Sequence, residues 1–430
     1  MRDDNSSWAE KPLGELLDIA RETIVPNAYG GEQFVHYSIP AWDERHGPTV
    51  EKGAAIGSAK FWIKHPTILV SKLNPRISRV VLVDHPNGHR HCASTEFIPY
   101  VAKADGVSLS FYKWFFQSRT FQHRLERIAT GSTNSHTRAH GTETLEWSVP
   151  SPSPTEQFCI TAMLDTVDDA IAKTETMIAK LKQVRAGVVH DLLTRGLDEN
   201  GQLRDPVAHP EQFQDLPLGQ IPNEWEVRPL ESCVSSEITY GIVQAGPHVE
   251  GGVPYIRTGD MAGNRLVVDQ MLRTSPEIAA RYRRSRVQAD EIVCAIRATV
   301  GKVLPVPPEL DGANLTQGTA RIAPKDEIDP TFLLWAIRSD KTQRQIALEV
   351  KGTTFFEITL ANLRRIKVTI PSQRKEQEQI AAVIQGLETR LSSEANGLSK
   401  LQDLKSGLMA DLLIGRVRVP ASLGLMGPCA

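Results

Sequence analysis

The stretches FYKWFFQSRTFQ, residues 111–122, and FLLWAIRSDKTQ, residues 332–343, are two copies of one segment. Identical residues recur 221 positions apart (332 − 111): Phe111, Trp114, Ser118, Gln122, Gly131, Thr133 and Pro150 pair with Phe332, Trp335, Ser339, Gln343, Gly352, Thr354 and Pro371. One residue is then lost, and the match continues 220 positions apart from Glu156-Gln157 and Glu376-Gln377 to Asp191-Leu192-Leu193 and Asp411-Leu412-Leu413. The chain therefore reads as two successive halves of roughly 200 residues, each a globular segment followed by a helical one.

The helical segments show heptad spacing. Their apolar residues recur at alternating steps of three and four: Ile160, Leu164, Val167, Ile171, Ile178, Leu181, Val188 and Leu192 in the first, and Ile380, Ile384, Leu387, Leu391, Leu398, Leu401, Leu408 and Leu412 in the second. Polar residues interrupt both seams at equivalent places, Thr174 and Arg185, then Glu394 and Lys405. Duplicated halves commonly relate by a pseudo-two-fold axis, which predicts that the two helices pack antiparallel on each other. The alternative is that each seam packs on its own globular domain.

The globular segments combine strand and helix patterns. Thr67–Val70, Val80–Val83 and Glu291–Ile296 are short apolar runs typical of buried strands. The aromatic residues within 111–125 and the apolar residues within 332–346 are spaced as the face of an amphipathic helix, and we expect them to lie in a core. The predicted fold is therefore mixed α/β (α+β), with two pseudo-repeated globular domains separated by a long antiparallel two-helix coiled coil.

The repeat and the local composition divide the chain into six parts. We predict a first globular domain at 12–150, a first helical region at 151–196, a connector at 197–216, a second globular domain at 217–371, a second helical region at 372–419 and a C-terminal tail at 420–430. The boundaries follow prolines near 150 and 371 and a connector rich in Pro, Gly, Asp and Asn.

Composition places the protein among ordinary soluble proteins. The 430 residues are 40% hydrophobic and 23% charged, with a formal net charge of −2. No apolar run approaches the roughly 20 residues that cross a bilayer, and the polar N-terminus lacks the apolar stretch of a signal peptide. We therefore predict a cytoplasmic protein without a membrane contact. Five scattered cysteines, an odd number without a Cys-x-x-Cys pair, argue against a disulfide framework.

Catalytic and metal-binding patterns are missing from the sequence. The stretch His89-Arg90-His91-Cys92 lacks a second group of ligands, so we expect a surface turn after Gly88 and no metal. No phosphate-binding loop, dinucleotide fingerprint or nucleophile elbow is present. We therefore predict no catalytic residue and no bound cofactor on this chain.

Positive charge with hydrogen-bonding neighbours recurs in both globular segments. Lys and Arg neutralise phosphates, and Arg, Asn and Gln can read base edges, so a local basic face suffices for DNA binding despite the near-neutral total. The alternative for each residue is a solvated surface charge. The candidates are Lys60, Arg76, Arg79, Ser132, Thr133, Asn134 and Arg138 in the first segment, and Arg257, Arg281, Arg283, Arg284, Arg286, Arg297, Lys302, Gln317, Thr353 and Thr354 in the second.

The order of several short motifs, together with the duplication, resembles the specificity (S) subunits of type I restriction–modification systems. The resemblance covers about residues 12–419, and its stretches are PLGEL at 12–16, DLLTRG at 191–196, IPNEWEV at 221–227, GIVQ at 241–244, GVPYIRTGD at 252–260, NLTQGT at 314–319, and Pro371-Ser372 with Glu376-Gln377. The first domain departs from the second, with YSIPAW at 37–42 where the second has YIRTGD at 255–260. By this resemblance, the divergence indicates that the two domains would read different halves of a DNA target.

The resemblance implies a division of labour. The globular domains would be target recognition domains, each reading half of a bipartite target in double-stranded DNA, and the helices would be spacers that dock two modification subunits. Those partners would methylate adenine with S-adenosylmethionine, and motor-nuclease restriction subunits would cleave DNA with ATP and magnesium. The chain would itself be non-catalytic. Two other classes remain: a coiled-coil scaffold that binds only proteins, and a self-sufficient enzyme, which the missing cofactor motifs disfavour.

Overall fold

The chain divides into two compact units, each with one globular part. The computed structural model describes residues 8–84, 86, 88–131, 137–216, 219–352 and 356–419. The first unit holds the described residues up to 176 together with those from 395 onward, and the second holds 177–394. Both long helices contribute residues to both units. The six-part division drawn from the sequence stays a prediction.

The first globular part consists of short strands and four helices in the portion that is described. The strands are β1 Glu10–Pro12, β2 Leu17–Ile19, β3 Thr23–Ile24, β4 Gln33–Tyr37, β5 Thr49–Lys52, β6 Lys60–Ile63, β7 Thr67–Ser71, β8 Val80–Val83, β9 Arg90–Ala93, β10 Phe97–Ala102 and β11 Ser148–Pro150. The helices are α1 Leu13–Leu16, α2 Ile39–Arg45, α3 Leu109–Gln117 and α4 Arg119–Arg127, and the long helix α5 Pro154–Arg195 follows. The two strands expected here from apolar runs are confirmed as β7 and β8.

The second globular part repeats this plan with shorter elements. Its strands are β12 Phe213–Leu216, β13 Gly219–Pro222, β14 Trp225–Pro229, β15 Thr239–Tyr240, β16 Val253–Ile256, β17 Arg273–Thr274, β18 Ile292–Ala295, β19 Val303–Pro305, β20 Asn314–Leu315, β21 Thr319–Ile322 and β22 Lys367–Pro371. The helices are α6 Pro276–Arg281, α7 Pro330–Arg338, α8 Asp340–Glu349 and α9 Leu360–Arg365, and the long helix α10 Arg374–Leu412 follows. The expected strand at Glu291–Ile296 is confirmed as β18.

Sheet topology confirms the duplication. An antiparallel sheet has the order β2-β10-β7-β8 in the first unit and β15-β21-β18-β19 in the second. An antiparallel pair, β1 with β11 or β14 with β22, joins the start of each globular part to its end, and the repeated Pro150 and Pro371 occupy equivalent places in it. Each unit also has a parallel pair, β4 with β9 or β16 with β20. This parallel pair belongs to a five-stranded sheet in the first unit and to a three-stranded sheet in the second, so the two halves differ in this sheet.

The repeated aromatic segment forms two short helices in each unit, where the sequence spacing suggested one helical face. Ser118 ends α3 and caps α4, accepting a hydrogen bond from the Phe121 amide. Ser339 stands between α7 and α8 in the same way. A serine with an extended backbone ends one helix while its hydroxyl satisfies one of the free amides in the first turn of the next. The aromatic residues themselves are core residues, as expected, with Phe111, Trp114 and Phe332 fully buried.

The two long helices are antiparallel in each unit. Residue numbers rise along α5 while those of the facing chain fall, as shown by the pairs Glu156–Arg418 and Asp168–Lys405 in the first unit and Arg185–Glu388 and Leu197–Glu376 in the second. All sixteen seam residues are buried or half-buried. The polar breaks at Arg185 and Lys405 form equivalent ion pairs, because Glu388 and Asp168 are also repeat partners. The predicted coiled coil and fold class are confirmed.

The ends of the long helices also enter the globular cores, so the alternative packing holds in part. In the first unit Ile160, Leu164 and Leu412 belong to the core that contains Phe111. In the second unit the start of α10 and the end of α5 join the core around Phe332 in the same manner. Burial of these terminal seam residues anchors each helix end, since each buried aliphatic side chain contributes roughly 1.5–3 kcal/mol.

A carboxylate at the start of α5 joins three separate segments of the first unit. Glu156 Oε1 accepts hydrogen bonds from Trp8 Nε1 at 3.2 Å and Arg418 Nε at 2.7 Å, and Ser153 binds the other oxygen. Burial alone would raise the pKa of Glu156, but the bonds from Arg418, Trp8 and Ser153 outweigh it and hold the pKa below its ordinary value. The ionised carboxylate therefore binds the segments that contain Trp8 and Arg418 to the start of α5.

The repeat partner Glu376 does the same at the start of α10. Its Oε1 accepts from Trp225 Nε1 at 3.0 Å, Arg204 Nη1 at 2.7 Å and the Leu197 amide at 2.9 Å. Gly196 has φ +64°, and a Cβ there would collide with the Glu376 carboxylate and the Trp225 ring. The DLLTRG stretch thus ends in glycine because the backbone must turn left-handed against this buried contact.

The His89–Cys92 stretch is not the expected surface turn. Arg90–Ala93 is strand β9, which pairs with β4 and β6, and Cys92 is fully buried in it. Burial raises the pKa of Cys92 to about 12. The sequence misled because three successive residues of this strand, His91, Cys92 and Ala93, are buried, although the stretch before them is polar. Among the described residues, no helix combines the length and apolarity needed to span a membrane.

Candidate nucleic-acid interface

The polar loop of the first unit begins and ends at a short hairpin. Thr130 and Arg138 exchange backbone hydrogen bonds of 3.0 and 2.9 Å. The returning strand then bonds to the segment after β7, through the Asn74 amide to Thr137 at 2.8 Å and the Ala139 amide to Lys72 at 3.0 Å. We call this arrangement the hairpin junction. It fixes both ends of the loop that the sequence singled out.

The second unit contains the same hairpin junction. Lys351 and Glu357 exchange backbone bonds of 2.9 and 3.0 Å. The Ala298 amide binds the Phe356 carbonyl at 3.1 Å, and the Ile358 amide binds Ile296 at 3.0 Å. The segment following β18 thus corresponds to the segment following β7. In both units, the described ends of the loop that begins at Gly131 or Gly352 are held against the end of a central strand.

The backbone is strained at the same point of each junction. Asn74 has φ +46° and Ala298 has φ +60°, both in the left-handed region. This conformation costs a residue with a Cβ roughly 1–2 kcal/mol, somewhat less for asparagine. Such strain clusters at functional sites, where surrounding contacts enforce it. Here the hydrogen bonds to Thr137 and Phe356 supply that enforcement.

An arginine–glutamate pair stands at the surface of each junction. Arg138 binds Glu96 with two nitrogens, at 2.9 Å from Nε and 3.0 Å from Nη2. Arg297 Nε donates to Glu357 at 3.2 Å, and their side chains are 47% and 50% exposed. Exposed ion pairs contribute little to stability. The Arg297 guanidinium can therefore exchange its carboxylate for a phosphate or a guanine edge without a large penalty. Arg138 is held more firmly, because its bond to Glu96 is bidentate and the Glu96 side chain is 27% exposed.

A cavity of about 320 Å³ opens beside Arg297. Its lining includes the exposed amide of Gln317, the ring of Tyr240, which is 45% exposed, and Glu357. Arg and Gln offer bidentate hydrogen bonding to base edges, and an exposed aromatic ring offers a stacking surface. The structure thus brings together two of the predicted DNA-binding residues, Arg297 and Gln317.

Gly241 sets the position of that cavity wall. Its backbone and that of Ile242 bond to Thr316 and Leu315, at 3.0 and 2.7 Å. A Cβ on Gly241 would collide with the Leu315 carbonyl. The GIVQ stretch therefore keeps a glycine so that Tyr240 can lie beside the NLTQGT strand end.

The densest basic run forms an exposed turn in the second unit. Arg281 ends α6, and Arg283–Ser285 is a single 3-10 turn in contact with β15 and β20. Ser285 is buried, whereas Arg281, Arg283, Arg284 and Arg286 are exposed, and none of the four forms an ion pair with another described residue. These four arginines give the turn a positive charge that no described carboxylate pairs with. The turn also contacts β15, which carries Tyr240 of the cavity.

The other predicted residues have varied placements. Lys60 and Arg79 are buried, Lys60 bound to Ser58 and Arg79 bidentate with Asp43, so both are occupied inside the domain. Arg257 pairs with Asp260, Lys302 donates to the Ala262 carbonyl, and Arg76 is exposed with a bond to Asn74. Ser132, Thr133, Asn134, Thr353 and Thr354 lie outside the described residues.

The comparison with known families decides between the classes left open by the sequence. Residues 222–402 match the model of the type I restriction modification DNA specificity domain. Residues 222–402 form a type I specificity domain. This confirms the family resemblance, and the matched range includes the cavity, the basic turn and the hairpin junction of the second unit.

Relatives and solved structures agree with the specificity domain. The EcoBI specificity subunit of Escherichia coli is 25% identical over 320 residues, covering 70% of this chain and 66% of that one. The putative MjaX specificity subunit of Methanocaldococcus jannaschii is 25% identical over 317 residues, covering 72% and 68%. The S subunit structure from M. genitalium aligns over 96% of this chain and 98% of that one, with TM-score 0.59 and 16% identity, which shows a shared fold.

Sequence reasoning missed three residues of the candidate DNA interfaces, Glu96 in the first unit and Tyr240 and Glu357 in the second. An exposed tyrosine and two surface glutamates carry no pattern of their own. One signal was present: Asn74 precedes Pro75, and asparagine before a turn is a residue that tolerates positive φ. The equivalence of Asn74 with Ala298 was hidden because their separation, 224 positions (298 − 74), departs from the repeat spacing.

Proposed function

We propose that this chain is the DNA-reading subunit of a type I restriction–modification complex. Each globular domain, 12–150 and 217–371, recognises one half of a bipartite target in double-stranded DNA. The observation that supports two readers is the repeated hairpin junction, with a strained residue and a surface arginine–glutamate pair in each unit. Base contacts come from Arg297 and Gln317 in the second domain, while Arg281, Arg283, Arg284 and Arg286 neutralise phosphates.

The helices α5 and α10 set the spacing between the readers and dock two modification subunits. Those subunits methylate adenine with S-adenosylmethionine, and restriction subunits add ATP- and magnesium-dependent cleavage, so this chain contributes recognition and no chemistry. The complex works in the cytoplasm. The salt dependence of DNA binding distinguishes this function from the alternative, a scaffold that binds only proteins. Phosphate contacts make DNA binding weaken steeply as the salt concentration rises.

Exchanging residues 12–150 for the corresponding domain of a relative should change one half of the target and leave the other unchanged. Trp8 and Glu156 lie outside the exchanged range, so their hydrogen bond is retained in the chimera. The measurement is a map of methylated adenines in DNA exposed to the chimera and its modification subunit. The unexchanged chain is the control, and a chimera that assembles but alters both halves would contradict independent readers.

Replacing Arg297 by alanine should cost about 1–3 kcal/mol of discrimination at one target position. The loss is local because only one guanidinium leaves the cavity. Binding of the assembled complex to a library of targets with single substitutions measures it. Arg297→Lys is the matched control: it keeps the charge and the salt dependence but loses the planar fork, so it should lose the same discrimination. If both variants keep the base preference of the unaltered chain at every target position, Arg297 does not read a base.

A further inference from the structure

A cavity of about 240 Å³ lies in the second unit where the break between α7 and α8 faces the end of α5. Its apolar floor comes from Val189, Leu193 and Ala336. Its polar rim includes Arg338 and Lys341, on either side of the capping residue Ser339. We call it the helix-break cavity of the second unit. It is separate from the candidate DNA-reading cavity, with which it shares no lining residue.

The first unit contains a helix-break cavity at the equivalent place. It measures about 810 Å³ and lies where the break between α3 and α4 faces the end of α10. Met409 and Ile414 lie on its floor, at the positions that Val189 and Thr194 occupy in the second unit. Eight lining residues of the second unit's cavity have repeat partners that line this one, including Ser339 with Ser118. The duplication therefore extends to a pair of surface cavities.

The cations at the second cavity are poorly compensated. Arg338 lies over the Trp335 ring at 4.8 Å and donates to the Val303 carbonyl, while Lys341 reaches only the Gln220 carbonyl at 3.4 Å. Neither forms an ion pair with a described residue. Burial lowers the pKa of both groups. The lining holds one carboxylate, Asp340, against these two cations, and Glu388 also acts on Arg338 through space. A carboxylate from outside would balance the positive charge that remains in the lining.

The first cavity differs in charge but keeps a free cation at its rim. Arg119 stands at the position equivalent to Asp340, is exposed, and forms no ion pair with a described residue. Lys405 is already paired with Asp168. Both cavities thus combine an apolar floor with one more cation than carboxylate in the lining, and they occur once in each unit. The first has Arg119, Lys405 and Arg416 against Asp168 and Glu175, and the second has Arg338 and Lys341 against Asp340. A surface presented twice in one chain fits two copies of a single partner.

We propose that the two helix-break cavities each receive an apolar side chain flanked by a carboxylate, from two copies of the modification subunit. This rests on the proposed function, which supplies the partner, and it specifies where and by what chemistry that partner binds. The apolar side chain fills the floor against the long helix, and the carboxylate pairs with Lys341 or Arg119 at the rim. One copy binds in each unit.

The test fills the cavities with indole rings. Ala186 and Ser406 are repeat partners that line the two cavities and are exposed, so Ala186→Trp and Ser406→Trp occupy the space without disturbing a core. The full chain is titrated with the purified modification subunit, and native mass spectrometry gives the number bound. We expect two copies on the unaltered chain, one on each single variant, and at least about a hundredfold weaker binding to the double variant.

The matched control lies one heptad earlier on the same helices. Ala179→Trp with Ser399→Trp places the same substitutions at exposed positions that line neither cavity, and the pair should still bind two copies. A control pair that loses binding as the cavity pair does would overturn the assignment to the cavities. A second probe is Lys341→Glu, a charge reversal at a half-buried residue of the cavity rim, with circular dichroism as the check that the variant folds. It should weaken one of the two sites at least about tenfold.

The outcomes separate the two proposals. If the unaltered chain binds no modification subunit, the proposed function fails. If it binds two copies and the Ala186→Trp, Ser406→Trp variant binds two with unchanged affinity, the cavity proposal alone is overturned. Unchanged affinity of the Lys341→Glu variant at both sites would overturn the carboxylate. Stepwise loss with each tryptophan and selective weakening by Lys341→Glu support the proposal in full.

Discussion

Replacing Glu376 by alanine should lower the free energy of unfolding by about 3–5 kcal/mol, the usual consequence of removing one partner from a buried ion pair. The Glu376 side chain is 9% exposed and that of Arg204 is 7% exposed. Without the carboxylate, the Arg204 guanidinium keeps only its bond to the exposed Glu224, and the Trp225 indole and the Leu197 amide lose their acceptor. Urea unfolding of the full chain, followed by the fluorescence of Trp225 and its neighbours, measures the loss.

The repeat supplies the control for this prediction. Glu156→Ala removes the equivalent carboxylate of the first unit, but Arg418 there is 34% exposed and remains hydrated after the change. Its loss should be clearly smaller, since a hydrated guanidinium is not left as a buried charge. Equal losses in the two variants would mean that the contact strength does not depend on burial. A loss below about 1 kcal/mol for Glu376→Ala would show that the pair does not stabilise the second unit.

The duplication and the long helices were predictable because both depend on spacing along the chain. Heptad positions such as Ile160 and Leu412 report which face of a helix is buried, whatever that face contacts. The antiparallel direction followed from the repeat, and the ion pairs of Arg185 and Lys405 could not be foreseen. Their partners, Glu388 and Asp168, lie 203 and 237 residues away in the sequence, respectively.

The break between the short helices escaped prediction for a local reason. Apolar spacing continues through Ser118, so periodicity alone describes one helix from Phe111 to Leu125. What ends α3 is the extended backbone of the serine, and the hydroxyl then caps α4. Serine at such a position is compatible with a helix interior or a cap, and only packing selects the cap.

The candidate interface was predicted in part. Arg297 and Gln317 come together because β18 and β21 pair antiparallel up to Ala295 and Thr319, two residues from each of them. The exposed arginines from Arg281 to Arg286 could be read directly as positive charge. Lys60 and Arg79 are buried, since Arg79 reaches Asp43 and Lys60 reaches Ser58. Sequence charge therefore overstates the surface charge wherever a carboxylate or carbonyl from another element captures the cation.

Replacing Arg283, Arg284 and Arg286 together by alanine should weaken DNA binding by the assembled complex roughly 10²–10³-fold at about 0.1 M salt. Each cation that contacts a phosphate contributes about one unit to the slope of log affinity against log salt, so the slope should flatten by about three. The three side chains are exposed and form no described ion pair, so folding should be unaffected.

Substituting lysine at the same three positions is the matched control. Lysine keeps the charge, so the salt slope should stay near that of the unaltered chain, and binding should change little if the turn contacts only phosphates. A selective loss for some target sequences in the lysine variant would instead place one of these arginines on a base edge. Salt titrations of the three complexes on one target and one unrelated duplex measure these effects. Unchanged affinity and slope in the alanine variant would remove the turn from the DNA interface. The hairpin junction would then be the remaining candidate in the second unit, because it holds the exposed Arg297 beside the candidate DNA-reading cavity.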